Sequence, residues 1–134
     1  MKKAFTGLIL LILVFLGLWG YDVYKASSTE SQRLDAIEQA KQKGMELVRS
    51  ALKDPTSAQF EDVRAADGEG VVCGLVNAKN SYGGYTGFKI FLSNEGQVFI
   101  DNGSLSINSM IRSECSKLDL VIGKQKLRAL GLDL

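Results

Sequence analysis

The sequence has no histidine, and it has only two cysteines, one proline and one tryptophan. The lack of histidine removes the most common general base and the most common metal ligand among the side chains. The carboxylates are scattered along turns and strand edges, where solvated or capping roles are typical. We therefore expect no enzyme, no catalytic residue, no metal, no cofactor and no small-molecule substrate.

An excess of charge of one sign is also missing. Lys and Arg number 16 and Asp and Glu number 15, so the net charge is +1. Lys124, Lys126 and Arg128 cluster near the C-terminus, but cations in the last turns of a helix usually complement the helix dipole. Because no basic stripe is present, we expect no nucleic-acid partner.

The two cysteines are Cys73 and Cys115. In an oxidising compartment, an isolated pair that is far apart in sequence is typical of a structural disulfide. The alternative is two unlinked buried thiols. A bridge of this kind would stabilise a small domain by on the order of 4 kcal/mol in the chain-entropy model.

One long apolar run stands near the N-terminus, where residues 4–21 read "AFTGLILLILVFLGLWGY". An uncharged run of this length is about the shortest that spans a bilayer as a helix. A cleavable signal peptide is the alternative, but the sequence after the apolar run offers only poor candidates for the small residues that a cleavage site requires. Trp19, Tyr21 and Tyr24 suit the membrane interface. The run predicts an uncleaved signal-anchor, a transmembrane helix at residues 1–24.

The charges beside this run predict its orientation. Lys2 and Lys3 precede it, while Asp22 and Lys25 nearly cancel after it. Because cytoplasmic flanks carry the excess of Lys and Arg, the N-terminus should be cytoplasmic. The expected location is the bacterial inner membrane, crossed once, with the C-terminal domain in the periplasm.

A polar connector at residues 25–31 follows, and Thr29 with Gln32 has the spacing of a capping box. Apolar residues then recur at helical spacing from about residue 30 to residue 52, before Asp54 and Pro55 end the pattern. This amphipathic helix either extends the anchor as a stalk or packs on a sheet, and we favour packing. Gly44 would allow a close approach.

The remaining chain predicts an α+β domain at residues 32–134. The segments "AQFEDV", "VVCGLVNA", "FKIFLS" and "VFID" read as strands, and the turn "NEGQ" joins the last two as a hairpin. We expect a small antiparallel sheet of about four strands, covered by the amphipathic helix. Residues 104–118 are ambiguous, and "DLVIGKQKLRALGL" predicts a short C-terminal helix.

Between two of these strands, residues 76–88 read "VNAKNSYGGYTGF". The glycines permit sharp turns, and Tyr82 and Tyr85 provide broad contact area. Loops of this composition suit protein recognition, because tyrosine offers contact area at a low entropic cost. The alternative is structural, with one tyrosine in the core and the other at the sheet edge.

Two segments resemble a family of small bacterial and prophage envelope proteins: "LKDPTSAQF" at residues 52–60 and "VCGLVNAKNSYGGYTGF" at residues 72–88. Some prophage-encoded members are membrane-anchored superinfection-exclusion proteins, which prevent a later phage from passing its DNA into the cytoplasm. The resemblance implies the same activity here, with the phage tape-measure protein or a host inner-membrane protein as the partner. Other members are host proteins, which leaves a host envelope role as the alternative.

The resemblance also implies roles for individual residues. Asp54, Pro55, Ser57, Ala58 and Phe60 would join the helix to the sheet, and Cys73 would pair with Cys115. Leu75 stands where the family suggests a polar residue such as glutamate, so a role for a charge there is in doubt. The partner-binding loop would contain Asn77, Lys79, Asn80, Tyr82, Gly83, Gly84, Tyr85 and Gly87.

Overall fold

The structure is a computed structural model that describes residues 2–132, with side chains described from residue 14 onward except at 19, 22–24 and 26–28. The chain forms two compact units, Met1–Asp35 and Ala36–Leu134. The helices and strands, in chain order, are α1 (Lys2–Ala51), β1 (Gln59–Ala65), β2 (Val71–Asn77), β3 (Lys89–Asn94), β4 (Gln97–Ile100) and α2 (Leu105–Ala129).

The first unit is helical, and the residues predicted as a connector, 25–31, lie within α1. The Thr29 hydroxyl donates a hydrogen bond to the backbone carbonyl of Lys25 at 2.9 Å. A threonine that bonds the carbonyl four residues back is satisfied inside a helix, so it does not need to act as a cap. The predicted capping box, and the predicted helix start near residue 30, are therefore wrong.

The predicted transmembrane helix is not supported. Among the described residues, no helix combines the length and the apolar character that crossing a membrane requires. The side chains of residues 1–13, which belong to the predicted anchor, lie outside the described residues. This finding overturns the predicted anchor, and with it the predicted single-pass location in a bacterial inner membrane.

The second unit contains a four-stranded antiparallel sheet in the order β1-β2-β3-β4. The predicted α+β class and the predicted strand number are confirmed. In the register of the central strands Val76 pairs with Lys89, and Cys73 pairs with Leu92. Because each strand pairs with its neighbour in sequence, each connection joins the adjacent ends of two paired strands. The connection between β2 and β3 is the longest of the three.

One face of the sheet packs on the C-terminal part of α1. Val48 is fully buried together with Val72, Val76 and Phe91. Gly44 is necessary for this contact, because a Cβ atom there would lie 2.8 Å from the Val72 side chain. The predicted packing of an amphipathic helix on the sheet is therefore confirmed, and so is the close approach at Gly44.

The opposite face packs on α2, which contributes Ile111, Cys115 and Leu118 to a second buried cluster with Cys73 and Leu92. The prediction of a short C-terminal helix is wrong, because α2 has 25 residues and includes most of the ambiguous stretch 104–118. Both faces of the sheet are therefore covered, each by one helix, which is the usual way to bury a two-sided apolar sheet.

The disulfide between Cys73 and Cys115 joins β2 to α2, as predicted, with a Cα–Cα distance of 5.8 Å. Polar contacts join the same helix to β1 and to the turn that follows it. Arg64 donates from one nitrogen to both carboxylate oxygens of Asp119 at 2.9 Å, and the Gln125 side chain donates to the Asp67 carbonyl at 2.9 Å. Both cysteines of the disulfide are buried, so the role of the disulfide in this unit is structural.

Candidate functional site: the loop between β2 and β3

The candidate site is the connection between β2 and β3, residues 78–88, which we call the tyrosine loop. Residues 80–88 are all exposed. Tyr82 is 97% exposed, more than any other large apolar or aromatic side chain among the described residues, and Tyr85 is 48% exposed. The structural alternative for these tyrosines, one in the core and one at the sheet edge, does not describe Tyr82.

Asn80 organises the tip of this loop. Its side-chain oxygen accepts hydrogen bonds from the backbone N–H groups of Tyr82 at 2.9 Å and Gly84 at 3.1 Å. Its own backbone N–H donates to the Gly84 carbonyl at 2.8 Å, and its carbonyl accepts from the Gly83 N–H at 3.0 Å. Gly83 has φ +82°, a conformation that favours glycine. Four hydrogen bonds therefore fix the backbone on both sides of Tyr82.

Lys79 and Tyr85 close the base of the loop. They form an isolated antiparallel bridge, and the Lys79 ammonium lies 5.6 Å from the centroid of the Tyr85 ring. At this distance the cation is attracted to the face of the ring. Tyr85 is thus held at the base of the loop, while Tyr82 stands free at its tip.

The turn before β1 also contacts the base of the tyrosine loop. The Lys79 N–H donates to the Ser57 hydroxyl oxygen at 2.9 Å, and the Ser57 N–H donates to an Asp54 carboxylate oxygen at 3.2 Å. The pKa of Asp54 is lowered, mainly because the Thr56 hydroxyl donates a hydrogen bond to the carboxylate. Hydrogen bonds from the backbone N–H groups of Ser57 and Thr56 lower it further. The two segments that carry the family resemblance therefore meet in space.

The predicted site residues do not all lie at the exposed tip. Asn77 is the last residue of β2, where its side-chain nitrogen donates to Gln59 of β1 at 3.4 Å. Gly87 has φ +87° just before β3 begins. Asn77 and Gly87 thus shape the two ends of the connection, and Asn80, Tyr82, Gly83 and Gly84 form the surface that a partner would meet.

An open groove of about 200 Å³ lies beside the loop, where the ends of α1, β2, β3 and β4 come together. Its lining combines apolar side chains with five polar or charged residues: Lys53, Lys79, Asn80, Thr86 and Lys89. Sequence reasoning included Lys79 and Asn80 but missed Lys53 and Lys89. These two residues belong to different elements, and no spacing along the chain indicates that they line the same groove.

Ser50 and Lys53, at the end of α1, have the Ser-x-x-Lys spacing that some hydrolases use. The Ser50 hydroxyl donates to the Leu47 carbonyl at 2.7 Å. This is the usual bond of a serine to its own helix backbone. The spacing therefore has an ordinary structural explanation.

Comparison with protein-family models, with curated proteins and with solved structures finds no match to this chain. The resemblance to envelope proteins therefore stays a prediction that rests on the two quoted segments.

Proposed function

We propose that this protein acts by binding another protein through the tyrosine loop, and that this binding prevents a later phage from passing its DNA into the cell. One observation carries the proposal: Tyr82 is 97% exposed on a backbone that Asn80 holds in place. The activity is superinfection exclusion, and the partner is the phage tape-measure protein or a host inner-membrane protein through which the DNA passes.

The physical support is preorganisation. Binding a partner with a flexible loop costs about 1–2 kcal/mol for each residue whose backbone becomes fixed. Here the hydrogen bonds of Asn80 fix the backbone before any partner arrives. Tyrosine is also enriched among the residues that dominate binding energy at interfaces. The loop therefore has the composition and the order of a recognition surface.

The assignment to phage exclusion rests on the family resemblance of the two segments. The contact between Ser57 and Lys79 supports a shared role for these segments, since one provides the base on which the other stands. Exclusion by binding needs no catalytic group, which agrees with a sequence that contains no histidine.

The experiment is phage plating on cells that express the full chain or one of two variants. The first variant is Tyr82→Ala/Tyr85→Ala. The matched control is Leu105→Ala/Leu120→Ala, which removes two exposed apolar side chains of α2, 89% and 67% exposed, and leaves the loop residues unchanged. Adsorption of phage to the cells is measured in parallel, together with the amount of folded protein.

We expect the full chain and the control to block plating while phage still adsorb, and the tyrosine variant to lose the block at equal protein levels. Equal blocking by the tyrosine variant would remove the loop from the mechanism. Normal plating of a broad phage panel on cells with the full chain would contradict exclusion and favour the host envelope role.

A further inference from the structure

The groove beside the tyrosine loop has charge of one sign only. Among the described residues, every charged side chain that lines it is a lysine: Lys53 just after α1, Lys79 in the loop and Lys89 at the start of β3. The chain as a whole is nearly neutral, at +1. The groove is therefore a local concentration of positive charge that the overall composition does not reveal.

These lysines have no carboxylate partner within the described part of the chain, since no Asp or Glu oxygen there lies within 4.0 Å of their ammonium nitrogens. Asp54 interacts electrostatically with Lys79, and Asp101 with Lys89, but neither carboxylate lines the groove. Both carboxylates accept hydrogen bonds from backbone N–H groups instead, of Ser57 and Gly103. The lysines are thus available to an external anion.

Apart from Asn80 and Thr86, the rest of the described groove lining is apolar. Leu52, Val76, Ala78 and Ile100 line it, and Val76 and Ala78 are buried, at 3% and 9% exposed. A volume of about 200 Å³ accommodates one or two side chains, which is small for a drug-sized ligand. A charged rim around an apolar floor is the arrangement that an amphipathic peptide segment fits.

We propose that the groove binds an acidic peptide segment, with an apolar side chain on the floor and flanking carboxylates against Lys53, Lys79 and Lys89. The inference rests on the proposed function, because it names the chemistry of the partner that the tyrosine loop contacts. Charge complementarity selects a carboxylate-bearing partner. Nucleic acid is the less suitable polyanion, because single strands bind through stacking on aromatic rings and none of the described residues that line the groove is aromatic.

The test uses a short fluorescein-labelled peptide in which one phenylalanine stands between two pairs of glutamates. A second peptide has glutamine in place of every glutamate, and a labelled oligothymidine is the third probe. Binding to the full chain is measured by fluorescence polarisation at low and high salt. Two charge-reversal variants are compared: Lys53→Glu/Lys89→Glu in the groove and Lys124→Glu/Lys126→Glu on the exposed surface of α2. Lys79 is kept so that its contact with Tyr85 remains.

We expect the glutamate peptide to bind at least about tenfold more tightly than the glutamine peptide, because close charge pairs dominate the difference. The groove variant should lose about tenfold or more of this affinity, while the α2 variant keeps it. Added salt should weaken binding, since the charge pairs are solvent-exposed and screened.

Three results would overturn the inference: no difference between the two peptides, an equal loss in both charge-reversal variants, or binding of the oligothymidine as tight as that of the glutamate peptide. The outcome is separable from that of phage plating. Blocked plating without peptide binding removes the groove and keeps the proposed function. Peptide binding in a protein that leaves plating normal removes exclusion and keeps the groove as a site for acidic peptides.

Discussion

Two connections in the same sheet join antiparallel neighbours in very different ways. Between β3 and β4 the chain turns through Glu95 and Gly96 alone, with φ +48° and +85°. Positive φ at both positions is the signature of the tight turn whose twist matches that of paired strands. Between β2 and β3 the same task takes residues 78–88. The short turn shows that strand pairing does not require the longer connection.

The difference also lies in where each connection is fastened. The short turn is held by the ladder of its own two strands, which begins at Asn94 and Gln97. The tyrosine loop instead has bonds of its own, from Asn80 at the tip and from Ser57 at the base. Extra chain that is both ordered and exposed is typical of loops that carry function. The contrast between the two connections therefore supports recognition as the role of the loop.

The strongest way to break this comparison is to make the two connections alike. Replacing residues 77–88 by Asn-Gly, the preferred sequence of a tight hairpin turn, should abolish exclusion completely. The free energy of unfolding should fall by only about 1–2 kcal/mol, because loop length contributes weakly to stability and the swap removes buried Ala78 and one hydrogen bond, from Lys79 to Ser57. Urea unfolding and phage plating measure the two effects. A variant that unfolds at much lower urea would show that the loop belongs to the core.

A matched pair of glycines sharpens the comparison. Gly83 and Gly96 have nearly the same φ, +82° and +85°, and a Cβ atom at either would meet open space. Gly96→Ala should lower the free energy of unfolding by about 1–2 kcal/mol, because the strain falls on a turn that both strands hold.

Gly83→Ala should lower that free energy less, by about 0.5 kcal/mol, because an exposed loop can relax locally. Its larger effect should be on phage blocking, which Gly96→Ala should leave intact at equal protein levels. Equal losses of stability, or equal losses of blocking, would contradict the separation of loop and turn.

Asn80 tests whether order in the loop matters. Asn80→Ala removes the oxygen that accepts from the Tyr82 and Gly84 N–H groups, which should cost about 1 kcal/mol or less because both bonds are exposed. Hydrogen exchange at these two amides should rise sharply. Asn80→Asp is the control, since it keeps an acceptor at the same place. Unchanged exchange in Asn80→Ala would mean that the glycines alone shape the loop.

Acid should produce the smallest effect. The pKa of Asp54 is below its ordinary value of 3.8, mainly because Thr56 donates to the carboxylate. A lowered pKa in the folded state adds stability above the ordinary pKa, and that stability is lost as pH falls through the lowered value. The free energy of unfolding of the full chain, measured in urea, should thus decrease below about pH 4. Asp54→Asn should show a smaller decline, and an identical decline would assign the effect to other carboxylates.

Several features of the fold follow from local sequence. The turn "NEGQ" predicts the β3–β4 hairpin, because glycine in that position permits positive φ. The alternation and β-branched content of the strands predict the sheet. Gly44 also fulfils its expected role, since the distance to Val72 leaves no room for a larger residue.

Other features escaped prediction for physical reasons. Serines are frequent in residues 104–118 and weaken the helical signal, yet Ile107, Ile111, Cys115 and Leu118 recur at helical spacing and mark the buried side of α2. The prediction of a membrane-spanning helix was wrong. It relied on the number of consecutive apolar residues, but among the described residues no helix is both long enough and apolar enough to cross a membrane. No local sequence pattern predicts the groove beside the tyrosine loop, because only the fold brings the ends of α1, β2, β3 and β4 together.

The most direct test of the central claim places a photo-crosslinking amino acid at position 82 and, in a second protein, at position 105. Both positions are strongly exposed, at 97% and 89%. Cells that express each protein are infected with a phage that the full chain blocks, and are then irradiated. Crosslinking to the phage tape-measure protein or to a host inner-membrane protein from position 82 alone is the predicted result. The same products from both positions, or none from position 82 in cells that still block infection, would contradict recognition by the loop.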